Sequence, residues 1–177
     1  MIKFCMLIIF LINLMILTGC SEFLAKGKLG KQARLLGECF CRPKDLSVPA
    51  INEPINLNEI NSTHSFDFTL KYAGTHSVGF SLANFDTRYY LNRSDTNLNL
   101  KFCFYLNDQL ILTKESTGKV YPFFGDTNGV GLVYIESPEE IPIDKIITCK
   151  VIILKTDEDF LNEYGPASFF VGRHSDL

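Results

Sequence analysis

The sequence lacks several features on which common protein functions depend. It contains no tryptophan and only three histidines, and its 17 Lys and Arg residues are outnumbered by 20 Asp and Glu residues. A chain with a formal net charge of −3 and interspersed signs has no basic surface that would attract nucleic acid. We therefore expect no nucleic-acid partner.

Residue sets that carry metal or catalytic chemistry are missing as well. The histidines are scattered along the chain at His64, His76 and His174. Cys39 and Cys41 are spaced more closely than zinc ligands usually are. The sequence has no serine elbow and no Cys–His pair in a recognisable motif. We expect no metal, no cofactor and no enzymatic activity.

The sequence also has no apolar run of membrane-spanning length. The run from Cys5 to Leu17 is shorter than the roughly 20 residues that a helix needs to cross a bilayer. A short apolar run that follows the basic residue Lys3 is typical of a secretory signal. A retained transmembrane anchor is the weaker alternative.

The signal ends in a tetrapeptide, Leu17 to Cys20, that is similar to the lipobox of bacterial lipoproteins. This resemblance implies that residues 1–19 are removed and that Cys20 becomes the acylated first residue. Two or more acyl chains anchor a protein stably to a membrane. Ser21, where an Asp would hold a lipoprotein at the inner membrane, implies the outer membrane of the cell envelope. A cleaved signal with an unmodified Cys20 is the alternative.

The segment that follows, residues 20–51, is expected to be a lipidated tether and linker. Between Glu22 and Gly37 it contains three glycines, each of which disfavours a helix by about 1 kcal/mol relative to Ala. Its basic residues suggest either a solvated spacer or attraction to anionic lipid headgroups. Pro43 and Pro49 indicate extended chain up to the start of a single domain at residues 52–177.

The domain has the alternating pattern of half-buried β-strands. Phe66, Phe68, Leu70 and Tyr72 alternate with polar residues, and the same pattern returns at 78–82, which predicts an antiparallel hairpin over residues 65–82. A second hairpin is predicted over 98–112, turning at Asn107 and Asp108. Further strands are expected near 132–135, 147–153 and 168–171, and one helical turn at 157–164, ended by Gly165 and Pro166. About seven short strands without a long helix predict an all-β antiparallel sandwich.

Four of these segments carry a resemblance to a known family. Phe66 to Leu70, Leu98 to Phe104, Cys149 to Ile153 and Phe169 to Val171 look like the strands of a family of small bacterial lipoproteins of unknown function. The resemblance covers roughly residues 52–174. It implies an immunoglobulin-like β-sandwich in the cell envelope, and it transfers no functional residue beyond the lipidated cysteine.

Four cysteines of the mature chain would meet an oxidising envelope, where disulfides are expected. Strand alternation places Cys103 on the polar face with Asn99 and Lys101, whereas Cys149 points into the core. A bond between Cys103 and Cys149 is therefore disfavoured. We expect Cys103 to bond with Cys39 or Cys41, and the alternative is that all four cysteines stay reduced.

Two classes of function remain open. The first is a non-catalytic interaction module with a protein partner, such as an immunity-type lipoprotein or an accessory subunit. Its candidate surface is the loop at 83–96, where Arg88, Tyr89, Tyr90 and Arg93 are residue types enriched at binding hot spots. The second is carbohydrate or cell-wall binding by exposed aromatic rings. The candidates for that platform are Phe85, Tyr89, Tyr90, Tyr121, Phe123 and Phe124.

The lipid anchor is directly testable with the substitution Cys20→Ser. The hydroxyl cannot form the thioether that carries the lipid, so we expect the variant to lose both acylation and release by the lipoprotein signal peptidase. Metabolic labelling with a palmitate analogue, beside the wild-type chain, measures the first effect. A Ser variant that still labels and fractionates with membranes would contradict the lipoprotein interpretation.

Overall fold

In the computed structural model the described residues are 43–84, 95–124 and 128–174. The signal peptide, Cys20, Cys39, Cys41 and the predicted binding residues at 88–93 lie outside these ranges. The chain divides into two compact units, Met1–Leu46 and Ser47–Leu177. In the described part of the first unit, the Leu46 N–H donates to the carbonyl of Pro43 at 3.2 Å and closes a turn. Within the described ranges, no helix is long and apolar enough to cross a membrane.

The second unit consists of nine described strands and one short helix. The strands are β1 (Ile51–Ile55), β2 (Thr63–Thr69), β3 (Gly74–Leu82), β4 (Asn99–Leu106), β5 (Gln109–Glu115), β6 (Tyr121–Phe124), β7 (Asn128–Ser137), β8 (Ile146–Lys155) and β9 (Ala167–Arg173), with helix α1 (Glu158–Tyr164) before β9. A five-stranded sheet has the order β1-β9-β3-β7-β6, and a four-stranded sheet has the order β2-β8-β4-β5. Every pairing is antiparallel. The prediction of an all-β antiparallel sandwich is confirmed.

The core lies between the two sheets. The alternating residues of each strand supply it, as the burial of Phe66 and Phe68 in β2 and of Phe102 and Phe104 in β4 shows. The Phe66 ring of the four-stranded sheet stacks on the Phe169 ring of the five-stranded sheet, with centroids 4.6 Å apart and planes 20° apart. Stacked rings of this kind add to the free energy gained by burying their apolar area. The two sheets are thus held face to face.

The predicted hairpin over residues 65–82 is wrong. β2 pairs with β8, whereas β3 pairs with β7 and β9 in the other sheet. The connection between β2 and β3 contains the buried residues Leu70, Tyr72 and Ala73, so it passes from one sheet to the other instead of forming an exposed turn. Alternation reports which face of a strand is buried, and it does not report the neighbouring strand.

The second hairpin and the helical turn are confirmed. β4 and β5 are joined by Asn107 and Asp108, whose φ angles of 49° and 64° suit a two-residue hairpin turn. Helix α1 begins after the N-cap residue Asp157 and ends at Gly165, as the sequence signals predict.

Two strands were not predicted, which explains why the sandwich has nine strands and not about seven. β1 and β6 form the two edges of the five-stranded sheet. Each contains a proline, which is tolerated at an edge because one side of the strand makes no ladder hydrogen bonds. In β1 only the terminal residues Ile51 and Ile55 are buried, so the strand shows no alternation to recognise.

A half-buried ion pair connects β5 with the turn after β7. Nζ of Lys114 lies 2.6 Å from Oε1 of Glu140, and Oε2 of Glu140 accepts the N–H of Glu136 at 2.9 Å. Burial alone would raise the pKa of Glu140, but the hydrogen bonds from Lys114 and Glu136 outweigh it and leave the pKa below its usual value. The contact fixes the turn against the four-stranded sheet.

The stacking between the sheets predicts the effect of Phe169→Ala. Phe169 is fully buried, and its removal leaves a cavity beside Phe66, so we expect the free energy of unfolding to fall by about 3 to 5 kcal/mol. Ile146→Ala is the control, because Ile146 is 69% exposed and its truncation should change stability by less than about 0.5 kcal/mol. Urea denaturation measures both. Equal losses in the two variants would refute the packing described here.

Candidate functional site

The predicted binding residues Arg88, Tyr89, Tyr90 and Arg93 lie outside the described residues, but both flanks of their segment are described. Asn84 precedes the segment and Asp95 follows it. Both flanks are hydrogen-bonded to helix α1 and its caps. We call the group Asn84, Thr96, Asn97, Asp157 and Tyr164 the loop frame.

Asp157 fixes the flank that follows the segment. Its Oδ2 accepts hydrogen bonds from the Thr96 hydroxyl at 2.9 Å and from the Asn97 N–H at 2.8 Å. Its Oδ1 accepts the N–H of Phe160 at 3.1 Å, which caps α1. The side chain is 5% exposed, and these three donors satisfy a carboxylate that would be costly to bury alone. Asp157 thus caps α1 and holds Thr96 and Asn97 against the start of the helix.

The other end of α1 fixes the preceding flank. The Asn84 N–H donates to the carbonyl of Tyr164 at 3.0 Å, and the Ala83 N–H donates to the carbonyl of Pro166 at 3.3 Å. Gly165 lies between them with a φ of +78°, and a Cβ there would come within 2.9 Å of Nδ2 of Asn84. Glycine is favoured there because a side chain would be strained at this positive φ angle, whereas the Asn84 amide could move away from a Cβ.

The flank that follows the segment, which begins at Asp95, also contacts the turn before β6. The Thr96 N–H donates to the carbonyl of Gly118 at 2.7 Å, and Asp95 forms an isolated β-bridge with Lys119. The Thr96 hydroxyl accepts the N–H of Leu98 at 3.2 Å, which leads the chain into β4. The chain on each side of residues 85–94 is thus held by several directed bonds.

An open cleft adjoins the loop frame along α1. Its volume is about 310 Å³, and no charged side chain lines it. The lining residues are Leu57, Asn58, Leu161, Asn162, Gly165, Pro166 and Ala167. No sequence signal indicates this cleft, because its two halves come from segments about a hundred residues apart in the chain.

The predicted aromatic platform is not an exposed surface where the structure describes it. Phe123 is buried, and its ring lies 4.6 Å from that of Phe170. Tyr121 is half-buried and packs at 5.2 Å on Tyr134. These rings stabilise the outer side of the five-stranded sheet. Phe85, Tyr89, Tyr90 and the side chain of Phe124 lie outside what the structure describes.

The predicted disulfide is not seen, since Cys103 and Cys149 are both free thiols. Cys103 lies on the outer face of the four-stranded sheet as predicted, opposite Thr113 and Lys150. It is nevertheless only 5% exposed, so its thiol is covered and not open to a distant partner. The Thr113 hydroxyl lies 4.0 Å from its sulfur. The proposed partners, Cys39 and Cys41, lie outside the described residues.

Cys149 occupies the core position that alternation predicts. It pairs with Phe66 and Phe104 on the inner face of the four-stranded sheet. Burial raises the pKa of its thiol, and the neighbouring Cys103 adds to the shift. The thiol is therefore a small apolar core residue, and its position on the face opposite to Cys103 explains why the two do not bond.

The described side chains form no metal site. Within residues 43–84, 95–124 and 128–174, no group of three or more His, Cys, Asp or Glu residues is placed to hold an ion.

The hydrogen bonds of Asp157 predict a large effect of Asp157→Ala. The substitution removes the helix cap and leaves Thr96 and Asn97 without their acceptor, so we expect a loss of about 2 to 4 kcal/mol in unfolding free energy. Glu158→Gln is the control, because Glu158 is exposed in the same turn and should change stability by less than about 0.5 kcal/mol. Urea denaturation compares them, and similar small losses would show that Asp157 does not hold the frame.

Comparison with known proteins identifies no family. The chain matches no protein-family model and no curated protein. Among solved structures it is similar to the crystal structure of GEBA250068378 from Sulfurospirillum deleyianum. The two share 9% sequence identity over 72% of this chain and 98% of that chain, with a TM-score of 0.49.

Proposed function

We propose that the chain is a non-catalytic lipoprotein of the cell envelope, anchored through Cys20, that binds a protein partner through residues 83–96. The observation that carries the proposal is the loop frame. Helix α1 has only seven residues, yet its caps and last turn hold the chain on both sides of the predicted binding segment. Binding loops act best when a rigid scaffold positions them.

The composition of the segment supports a protein partner. Arg88, Tyr89, Tyr90 and Arg93 combine aromatic and guanidinium side chains, which contribute much of the binding energy in protein interfaces. Tyr pairs a large contact area with a low entropy cost, because it has few rotatable bonds. An immunity-type lipoprotein or an accessory subunit of an envelope assembly fits this description.

The anchor supports a location at the outer membrane. The apolar run, the lipobox-like end at Cys20 and the serine at position 21 are the sequence features behind it. Residues 20–51 would then give the sandwich reach from the membrane surface towards a partner in the envelope.

The proposal predicts the behaviour of the double variant Tyr89→Ala/Tyr90→Ala. We expect its thermal midpoint to stay nearly unchanged, while capture of the partner from detergent-solubilised envelope falls at least tenfold, the effect of about 1.4 kcal/mol. The full chain is used as bait. Tyr105→Ala is the matched control, because Tyr105 is a half-buried tyrosine on the outer face of the four-stranded sheet and should leave capture intact.

Two results would overturn the proposal. A large drop in the thermal midpoint of the Tyr89/Tyr90 variant would show that these residues are core. Turnover of peptidoglycan or glycan substrates by the wild-type chain would show that the protein is an enzyme.

A further inference from the structure

The cleft beside α1 is open and large enough for a small molecule. Leu57 and Asn58 come from the connection between β1 and β2, Leu161 and Asn162 from α1, and the remaining wall from the chain that enters β9. Its volume of about 310 Å³ is at the lower end of the roughly 300 to 1,000 Å³ that ligand pockets occupy. A single ring-sized ligand fits this volume.

The wall of the cleft at residues 165–167 has main-chain groups that are already engaged in hydrogen bonds. The Gly165 N–H donates to the Leu161 carbonyl at 2.9 Å, and the Pro166 carbonyl accepts the Ala83 N–H at 3.3 Å. Ala167 is paired in the sheet with both β1 and β3. Binding of a peptide as an added strand depends on free main-chain donors and acceptors. This wall therefore offers few free main-chain groups to a peptide strand.

Two side-chain amides supply the polar groups. Asn58 and Asn162 are exposed, and within the described ranges neither side-chain amide is hydrogen-bonded to another residue. Each amide offers two N–H donors and one carbonyl acceptor. The cleft has no charged side chain to neutralise an anion or a cation. A charged ligand would lose its hydration without gaining an opposite charge.

The rest of the lining is apolar. Leu57 and Ala167 are buried, whereas Leu161 is half-buried and Pro166 is exposed. A purely apolar ligand would cover the amides of Asn58 and Asn162 without satisfying them, which is unfavourable. A ligand that suits all of these groups is uncharged, carries several hydroxyl or amide groups and has one apolar face.

We propose that the cleft is a binding site for one neutral sugar ring. The hydroxyl or acetamido groups of the sugar bond to the amides of Asn58 and Asn162, and its C–H face packs on Leu161 and Pro166. Affinity is in the millimolar range, because the site is open and small. The inference is independent of the protein-binding proposal, since it uses none of the residues from 85 to 94.

Saturation-transfer NMR on the full chain in detergent tests the proposal. The probes are N-acetylglucosamine and, as a comparison, the peptide N-acetyl-trialanine amide, which is uncharged because both of its ends are blocked. We expect the sugar to bind and the peptide not to. Asn58→Ala and Asn162→Ala should each weaken sugar binding about three- to tenfold, the effect of one lost hydrogen bond. Gln109→Ala removes an exposed amide on β5, away from the cleft, and should leave binding unchanged.

Both asparagines are exposed, so their variants should fold, and an unchanged thermal midpoint verifies this. No binding of the sugar, or equal affinity in the wild type and the Asn58/Asn162 double variant, would overturn the proposal. Peptide binding that the double variant loses, without sugar binding, would overturn it in favour of a peptide site. The Asn58/Asn162 double variant should still capture the protein partner from the envelope. Failure of the cleft proposal can therefore be distinguished from failure of the proposal for residues 83–96.

Discussion

The contact between the apolar faces of the two sheets is the constraint on which the rest of the structure depends. Phe66 on one sheet stacks on Phe169 of the other, and the strands of both sheets supply alternating side chains to the same layer. Because that layer must stay dry, the chain has to pass between sheets without exposing apolar residues. The buried connection through Leu70, Tyr72 and Ala73 is the result, and it separates β2 and β3, which are consecutive in the chain.

The end of the sandwich that carries α1 depends on a second constraint, the burial of a carboxylate. A buried charge is tolerated only when donors surround it, and Asp157 obtains them from Phe160, Thr96 and Asn97. The carboxylate of Asp157 therefore both caps α1 and holds the chain that follows residues 85–94. The same helix contributes one wall of the uncharged cleft, so both surfaces proposed for binding depend on where Asp157 places α1.

The two proposed surfaces suit different partners for physical reasons. The segment at 83–96 combines guanidinium and phenol groups, which bind well to another protein where they are desolvated together. The cleft has no charged lining side chain, and its two amides match the hydroxyl groups of a small neutral ring. The two proposed sites do not compete, since the residues that carry them do not overlap.

The sequence by itself determined the properties that depend on local chain geometry. Alternation identified the buried face of most strands, Asn107 and Asp108 identified a tight turn, and Asp157 with Gly165 bounded the helix. Only the tertiary structure decided which segments become neighbours. It placed β8 beside β2 and made the proline-containing strands β1 and β6 the edges of their sheet. It also formed the hydrogen bond between Asp157 and Thr96 and buried the thiol of Cys103. The reason is that periodicity records whether a side chain meets water or core, whereas pairing is decided by which distant segments together bury the most apolar surface and satisfy the most polar groups.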